Sequence, residues 1–313
     1  MKVAVCSRSF SRHPQLRAEL QAGFPEAYFN DDGLNLSGDS LVAFLEPAER
    51  AVTALEKVDA DVISRLPNLK VLSKYGVGTD TLDFEALDAA GIDVGWTAGV
   101  NRRSVSELVI AMAISCLRLL PQATAEVRSG TWRQIVGNQL SDQTVGIVGC
   151  GNIGKDLVKL LKPFGCPVLA NDIVDYAEFY REHGVEAVSL EDLLARADVV
   201  TLHVPRDKST LNMLSRERMA MMKPGGILIN AARGGILDED ALKDSLDSGH
   251  LAGAALDVLA VEPPADTALF QHPNIIVTPH IGGSAAEAIL AMGRAAIQGL
   301  SEYRPARSYL PSP

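Results

Sequence analysis

The chain has 313 residues, 47% apolar and 22% charged, an ordinary globular composition at a length that suits two domains of roughly 150 residues each. Its formal net charge of −10 argues against non-specific nucleic-acid binding, which depends on Lys and Arg neutralising phosphates. The longest apolar run, 108–120, is interrupted by Arg118 and too short to span a bilayer, so no membrane is expected.

In chain order, short β-branched runs alternate with helical patterns, which predicts parallel sheets built from βαβ units. Met1-Lys-Val-Ala-Val-Cys6 reads as a strand and not as a signal peptide, because its apolar run is too short. Strands are expected at 3–6, 42–45, 70–73 and 92–94, with helices around 12–21, 58–64 and 84–90. A long helix is expected to start at Ser104, where Ser104-Val-Ser-Glu107 fits a capping box, to run through 108–120 and to stop at Pro121. An irregular connection follows from Gly130. Beyond Thr144, strands are expected at 145–148, 168–171, 185–188, 199–202, 227–230, 252–256 and 275–277. Helices start near Ile153, Tyr176, Leu190, Ser215, Asp238 and Ser284, the last with a second capping box ending at Glu287. The Pro- and Ser-rich tail 305–313 reads as irregular.

The stretch 144–172 is the most specific. An apolar strand runs into Gly149, Gly151 and Gly154 at G-x-G-x-x-G spacing; a helix follows, then a second strand ending in Asp172. The first glycine permits the tight turn, the second lets backbone approach a pyrophosphate, and the third lets helix and sheet pack closely. The helix N-terminus offers N–H groups and positive dipole to the phosphates. Asp172 can accept from both ribose hydroxyls and repels a 2′-phosphate, and Ile173-Val174 supply no cation for one, so NAD is expected over NADP. Such a fingerprint opens its domain, and here it comes late, so a separate domain precedes it. The four cysteines, Cys6, Cys116, Cys150 and Cys166, form no C-x-x-C pair and show no zinc-ligand spacing. They read as free thiols of a reducing compartment, with the cytoplasm as default and no metal. Cys150 lies inside the glycine loop; a small residue that fits is the favoured reading there over a redox switch.

Polar residues close several later strands, where open α/β sheets bind ligands: His203, Arg233, Asp257 and His280, with Glu262 in the loop after Asp257. Hydride transfer between an alcohol and a nicotinamide needs a group that takes the hydroxyl proton, and histidine titrates in the right range. A carboxylate orients such an imidazole, and a guanidinium grips a substrate carboxylate in two-pronged fashion and polarises a carbonyl. Arg233, Glu262 and His280 supply one of each.

At this point the chain resembles the D-isomer-specific 2-hydroxyacid dehydrogenase family over nearly its whole length. The matching segments are Leu69-Lys-Val-Leu-Ser-Lys-Tyr-Gly-Val-Gly-Thr-Asp, Ser104-Val-Ser-Glu-Leu, the glycine loop, Leu202-His-Val-Pro, Met222-Lys-Pro-Gly-Gly-Ile-Leu-Ile-Asn-Ala-Ala-Arg-Gly-Gly, Ala255-Leu-Asp-Val-Leu-Ala-Val-Glu-Pro and Thr278-Pro-His-Ile-Gly-Gly. The resemblance implies two doubly wound α/β domains with a cleft between them that closes to exclude water. A flavodoxin-like substrate domain would comprise 1–100 plus 284–313, and a Rossmann cofactor domain 101–283. It implies Arg233 as the carboxylate-binding and carbonyl-polarising residue, His280 as acid/base and Glu262 as its support. It implies an NAD site lined by Ser104, Gly149, Gly151, Asn152, Ile153, Gly154, Asp172, His203, Val204, Pro205, Thr210, Ala231, Asp257, Gly282 and Gly283. Substrate would meet Lys74, Tyr75 and the backbone of Gly76, Val77 and Gly78, and the helix starting at Ser104 would form a homodimer interface.

The substrate is expected to be a small anionic 2-hydroxy or 2-oxo acid, hydroxypyruvate- or phosphoglycerate-like. Lys74 sits where phosphoglycerate dehydrogenases of the family place a phosphate-binding Arg. Against phosphoglycerate, Glu46-Pro47 follows the expected strand 42–45 where that branch tends to carry another Arg, and the chain ends without that branch's regulatory domain. Phosphite oxidation is disfavoured because Val77 stands where its essential Lys falls, and formate oxidation because Glu262 stands where a Gln is typical. An NAD(H)-sensing interaction protein on the same fold is the alternative, disfavoured by the complete Arg233, Glu262 and His280 set.

Overall fold

The computed structural model describes residues 1–310. By its internal contacts the chain divides into two compact units, Met1–Asn101 with Ala286–Pro313, and Arg102–Ala285. Its strands, in chain order, are β1 Val3–Val5, β2 Ala27–Phe29, β3 Arg50–Thr53, β4 Val71–Lys74, β5 Asp93–Gly95, β6 Val145–Val148, β7 Val168–Asn171, β8 Glu186–Ala187, β9 Val199–Leu202, β10 Gly226–Asn230, β11 Leu251–Leu256, β12 Ile275–Val277 and β13 Arg304–Pro305.

In the first unit the sheet order is β13-β5-β4-β3-β1-β2, parallel except for the antiparallel edge pair β13–β5. Val3, Val5, Val52 and Leu72 are fully buried, the continuous apolar lining that a parallel sheet covered on both faces requires. One face packs Phe10, Leu16 and Leu20 with Ala296 and Leu300 of the C-terminal segment. The other packs Leu41, Leu45, Leu66 and Leu87. The last helix, Ala286–Gly299, docks closely because Gly95 and Gly299 meet backbone to backbone: a Cβ on Gly95 would stand 2.1 Å from the Gly299 carbonyl oxygen. Strand order reverses between β1 and β3, which makes that pair the switch point of this sheet.

The second unit has seven strands, ordered β12-β11-β10-β9-β6-β7-β8 and parallel throughout. Its core lies on both faces of the sheet, around Leu193, Leu228 and Leu242 on one side and Ile147, Leu157 and Met112 on the other. The order reverses between β6 and β9, so the ligand crevice of a doubly wound sheet falls at their C-terminal ends. Among the described residues no single helix is long and apolar enough to cross a bilayer.

Several local expectations are corrected. Residues 42–45 are not a strand but the end of a helix, Gly38–Leu45, capped by a Ser37/Ser40 box. Its Leu41, Val42 and Leu45 fall on one buried face at helical spacing, which a four-residue apolar run does not reveal. The strand that belongs there is β3, so Ala54-Leu55-Glu56, and not Glu46-Pro47, forms its C-terminal end; β2 was also not expected. The helix expected from Ser104 begins at Arg102 and ends at Leu117, and Ser104 does not cap it: its hydroxyl donates to the Gly282 carbonyl at 2.6 Å. Pro121 does not stop that helix but opens the next, Leu120–Arg128, after Leu119 turns through a left-handed φ of 51°. The last helix starts at Ala286, too late for Ser284 to cap it; the N–H just before, on Ala285, donates to the Ser104 hydroxyl at 3.4 Å. The tail expectation extends past residue 310, outside the described residues.

Candidate active site

In the second unit, β6 ends at Val148 and the helix Asn152–Leu161 begins after three intervening residues. Gly149 makes the turn with φ +93°, and a Cβ there would stand 2.6 Å from the His203 carbonyl oxygen. A Cβ on Gly154 would stand 2.4 Å from the Gly149 carbonyl oxygen. Gly151 differs, since nothing lies within 4 Å of where its Cβ would point. The loop is therefore closed by protein on two sides and open on the third, where the first-turn N–H groups of Asn152 and Ile153 have no carbonyl partner in their own helix. That open face, a bare backbone turn before a helix N-terminus, fits a pyrophosphate.

Asp172 follows β7 and leans over this loop. Its Oδ2 accepts the Cys150 N–H at 2.6 Å and its Oδ1 accepts the Val174 N–H at 2.9 Å. The carboxylate is thus held at the rim, with Ile173 beside it fully exposed. Cys150 is buried, and burial pushes its thiol up to about 11, away from the thiolate that oxidation needs. The small-residue reading of Cys150 fits this better than a redox switch.

His203 leaves β9 with its N–H donating to the Val148 carbonyl at 2.7 Å, so it lies directly beside the glycine turn. Its Nε2 pairs with the Thr201 hydroxyl at 3.0 Å, while its buried Nδ1 has no protein partner. Burial pushes its pKa down to about 4. The ring is therefore neutral near pH 7 and unsuited to donate a proton. Val204 and Pro205 follow it, and the buried Thr210 closes their loop by donating to the Pro205 carbonyl at 2.7 Å and accepting the Asp207 N–H at 2.9 Å. Those contacts make Thr210 a brace of the loop.

Three loops carry the remaining polar residues. At the end of β10, buried Asn230 accepts the Ala232 N–H at 3.1 Å and donates to the Arg233 carbonyl at 2.9 Å, which shapes the turn presenting half-buried Arg233. A Cβ on the next residue, Gly234, would stand 1.8 Å from the Leu259 carbonyl oxygen, so this turn presses directly on the loop beyond β11. There Glu262 accepts the Leu259 N–H through Oε1 at 2.9 Å and, through Oε2, pairs with His280 Nδ1 at 2.9 Å. His280 follows β12 with a left-handed φ of 54°, a conformation a β-carbon disfavours and neighbours must hold. The holder is Asp257. Its carbonyl accepts the His280 N–H at 2.8 Å; its buried carboxylate accepts the Thr278 hydroxyl at 2.6 Å and the N–H groups of Ile281 and Gly282 at 2.8 and 2.7 Å. With Nδ1–H directed at Glu262, the neutral ring carries its lone pair on Nε2, and about half of the side chain is exposed.

Two members of the expected set lie deeper than expected in the first unit. Lys74 is buried at the end of β4, with its ammonium hydrogen-bonded to the Ala54 carbonyl and, at 3.0 Å, to the Thr81 hydroxyl. It braces the loop beyond β3. Tyr75 turns its ring into the core, edge-on to Phe10 with centroids 5.4 Å apart. Side-chain alternation puts it there, and only its neighbours Gly76, Val77 and Gly78 stand partly exposed. Asn230 and Thr278 were not picked out from the sequence; a polar residue closing an otherwise apolar strand, as in Ile-Leu-Ile-Asn230, is the signal that identifies such supports.

Residues 110–282 match the sequence model described as D-isomer specific 2-hydroxyacid dehydrogenase, NAD binding domain. The chain is 39% identical over 253 residues to D-3-phosphoglycerate dehydrogenase of Mycobacterium tuberculosis, covering 80% of this chain and 48% of that protein, so it spans about half the length of this relative. Among solved structures, TT0316 protein from Thermus thermophilus is similar with a TM-score of 0.87 at 33% identity, covering 96% of each chain. D-lactate dehydrogenase from Aquifex aeolicus, complexed with NAD and lactic acid, is similar with a TM-score of 0.82 at 26% identity, covering 96% of this chain and 94% of that one.

Proposed function

The chain belongs to the D-isomer specific 2-hydroxyacid dehydrogenase family, and on that premise we propose that it is an NAD-dependent oxidoreductase acting at C2 of a small 2-hydroxy or 2-oxo acid. The observation that carries this reading is the pairing of His280 with Glu262 at 2.9 Å on loops that also bring in Arg233. NAD, when bound, supplies the hydride acceptor or donor at C4 of its nicotinamide. The open face at Gly151 and the carboxylate rim of Asp172 are the features that would hold it.

In the reductive direction His280 donates its Nε2 proton to the carbonyl oxygen of the 2-oxo acid as C2 becomes tetrahedral; in the oxidative direction Nε2 takes the hydroxyl proton. Glu262 accepts from Nδ1–H, which commits the exchangeable proton to Nε2. Arg233 binds the substrate carboxylate and polarises the carbonyl with its planar fork. His203, neutral from burial, lines the cofactor side and takes no proton.

The direct test is steady-state oxidation of NADH with a panel of 2-oxo acids. His280→Ala is expected to lower kcat by roughly 10²–10⁴-fold with NADH binding preserved; an unchanged kcat would refute the assignment. We further propose a homodimer built on the helix Arg102–Leu117 and the segment after it. Trp132 and Val136 are about nine-tenths exposed there, with Val127 and Leu120 about half exposed, more apolar surface than one short segment ordinarily shows to water. Light scattering decides this, and a monomer at micromolar concentration excludes it. The four free buried cysteines fit a reducing cytoplasm, which fractionation of the producing cells checks.

A further inference from the structure

The helix that follows the glycine loop, Asn152–Leu161, carries a charge on the face it buries. Gly154, Leu157, Val158 and Leu161 are turned inward, and Asp156 is buried among them. Its partner comes from the helix Arg102–Leu117. Arg103 donates from Nε to Oδ2 at 2.9 Å and from Nη2 to Oδ1 at 3.0 Å, a two-pronged pair. One turn further along that helix, the buried Ser106 hydroxyl donates to the Ile153 carbonyl at 3.3 Å. Ile153 is one of the two residues whose N–H groups front the open face at Gly151.

Stability alone gives little reason for such a pair. Apolar side chains in place of a buried ion pair are often neutral or stabilising, because desolvating the charges offsets their attraction. Arg103 also stands in the first turn of its own helix, where the dipole disfavours a cation and no acidic residue of that turn compensates it. What the pair adds is direction. Val105 and Val109 of one helix share an apolar cluster with Leu157 and Val158 of the other, and apolar contact is non-directional, so it tolerates sliding and rotation. The fork resists both. On the sheet side the same turn is already fixed, by Gly154 against the Gly149 carbonyl. Arg103 and Ser106 hold it from the other side.

We propose that Arg103 and Asp156 are positioning residues of the dinucleotide site. With Ser106, the pair sets the axial and rotational position of the first helical turn, so that the Asn152 and Ile153 N–H groups converge on the pyrophosphate. The inference rests on the reading of the glycine loop as the NAD site. Hydrogen bonds weaken steeply as donor and acceptor lose alignment, so a turn free to rotate binds the phosphates less tightly without any contact to them being removed. The fork has a second effect. It neutralises a carboxylate that would otherwise stand uncompensated in the helix that receives two phosphates.

The test measures the Kd for NADH by fluorescence titration, and Tm, in the wild type, Arg103→Leu, Arg103→Lys and the double variant Arg103→Leu with Asp156→Ala. The double variant decides. It leaves no unpaired buried charge and no change in net charge, so its Tm should stay near that of the wild type. Its Kd for NADH should nevertheless rise about fivefold or more. With a 2-oxo acid that the wild type reduces, the rise should appear in KM for NADH and not in kcat. Arg103→Lys keeps the charge and loses the fork, and should weaken NADH about threefold. Binding within twofold of wild type in the double variant overturns the proposal. So does a loss of affinity confined to Arg103→Leu and accompanied by a fall in Tm, since an unpaired buried carboxylate explains that without any positioning. If circular dichroism shows the double variant unfolded, Arg103→Lys decides by the same twofold limit. A wild type that binds no NADH overturns the NAD reading itself, and this proposal with it.

Discussion

Gly151 and Gly154 lie three residues apart in one loop, and their surroundings predict opposite phenotypes for the same substitution. A Cβ at Gly151 meets nothing within 4 Å, so Gly151→Ala should cost less stability than Gly154→Ala. The added methyl instead occupies the open face where a pyrophosphate would approach the backbone. NADH affinity should fall at least tenfold, about 1.4 kcal/mol. At Gly154 the Cβ would stand 2.4 Å from the Gly149 carbonyl oxygen, which is backbone and cannot rotate aside. Overpacking of this kind costs about 1–3 kcal/mol, offset by about 1 kcal/mol of helix propensity on replacing glycine. A net loss of up to about 2 kcal/mol lowers Tm by as much as several degrees in a unit of this size, at ~2–4 °C per kcal/mol. Fluorescence titration with NADH and thermal denaturation read the two quantities separately. The reasoning fails if Gly151→Ala melts below Gly154→Ala, or if Gly151→Ala binds NADH as tightly as wild type.

Asp172 should give NAD a kcat/KM at least tenfold above NADP; equal values would remove the discriminating role. Asp172→Asn keeps an oxygen for the Cys150 N–H but removes the charge, and should narrow that preference by roughly tenfold. His203 makes stability depend on pH. Its folded pKa of about 4 lies below the ordinary histidine value of about 6.5, so between those limits the unfolded chain binds a proton that the folded chain refuses. Stability is therefore lost as pH falls from 6.5 towards 4. Urea melts at pH 7 and pH 5 should show up to about 2 kcal/mol more loss in wild type than in His203→Gln, at ~1.4 kcal/mol per pH unit. Parallel losses in the two proteins would mean that the ring is not buried neutral.

The second unit was legible from sequence because its signals are local and redundant. Uniformly apolar strands, glycines whose spacing follows from backbone contact, and polar residues placed where strands end all point to one doubly wound sheet. The failures share a different cause, tertiary context. Val42-Ala-Phe-Leu45 satisfies a strand or a helix equally, and only the buried face formed with Leu41 decides. Ser104 and Ser284 each precede a glutamate at capping distance, but the Ser104 hydroxyl is claimed by Gly282, far along the chain. Lys74 and Tyr75 stand beside an exposed loop in sequence while their side chains point into the unit, and no composition rule reports which way a strand end faces.

The proton-transfer residue proposed here sits in a loop that does not behave as one. The main-chain N–H groups of His280, Ile281 and Gly282 all terminate on a single buried residue at the end of β11, two of them on its carboxylate. These amides can exchange with deuterated solvent only when the β11–β12 edge itself opens, and should therefore exchange with the slow kinetics of the sheet interior while residues 263–273 between them exchange fast. The histidine's backbone anchor is thus inherited from strand register, and sequence change in the long intervening segment can proceed without moving it.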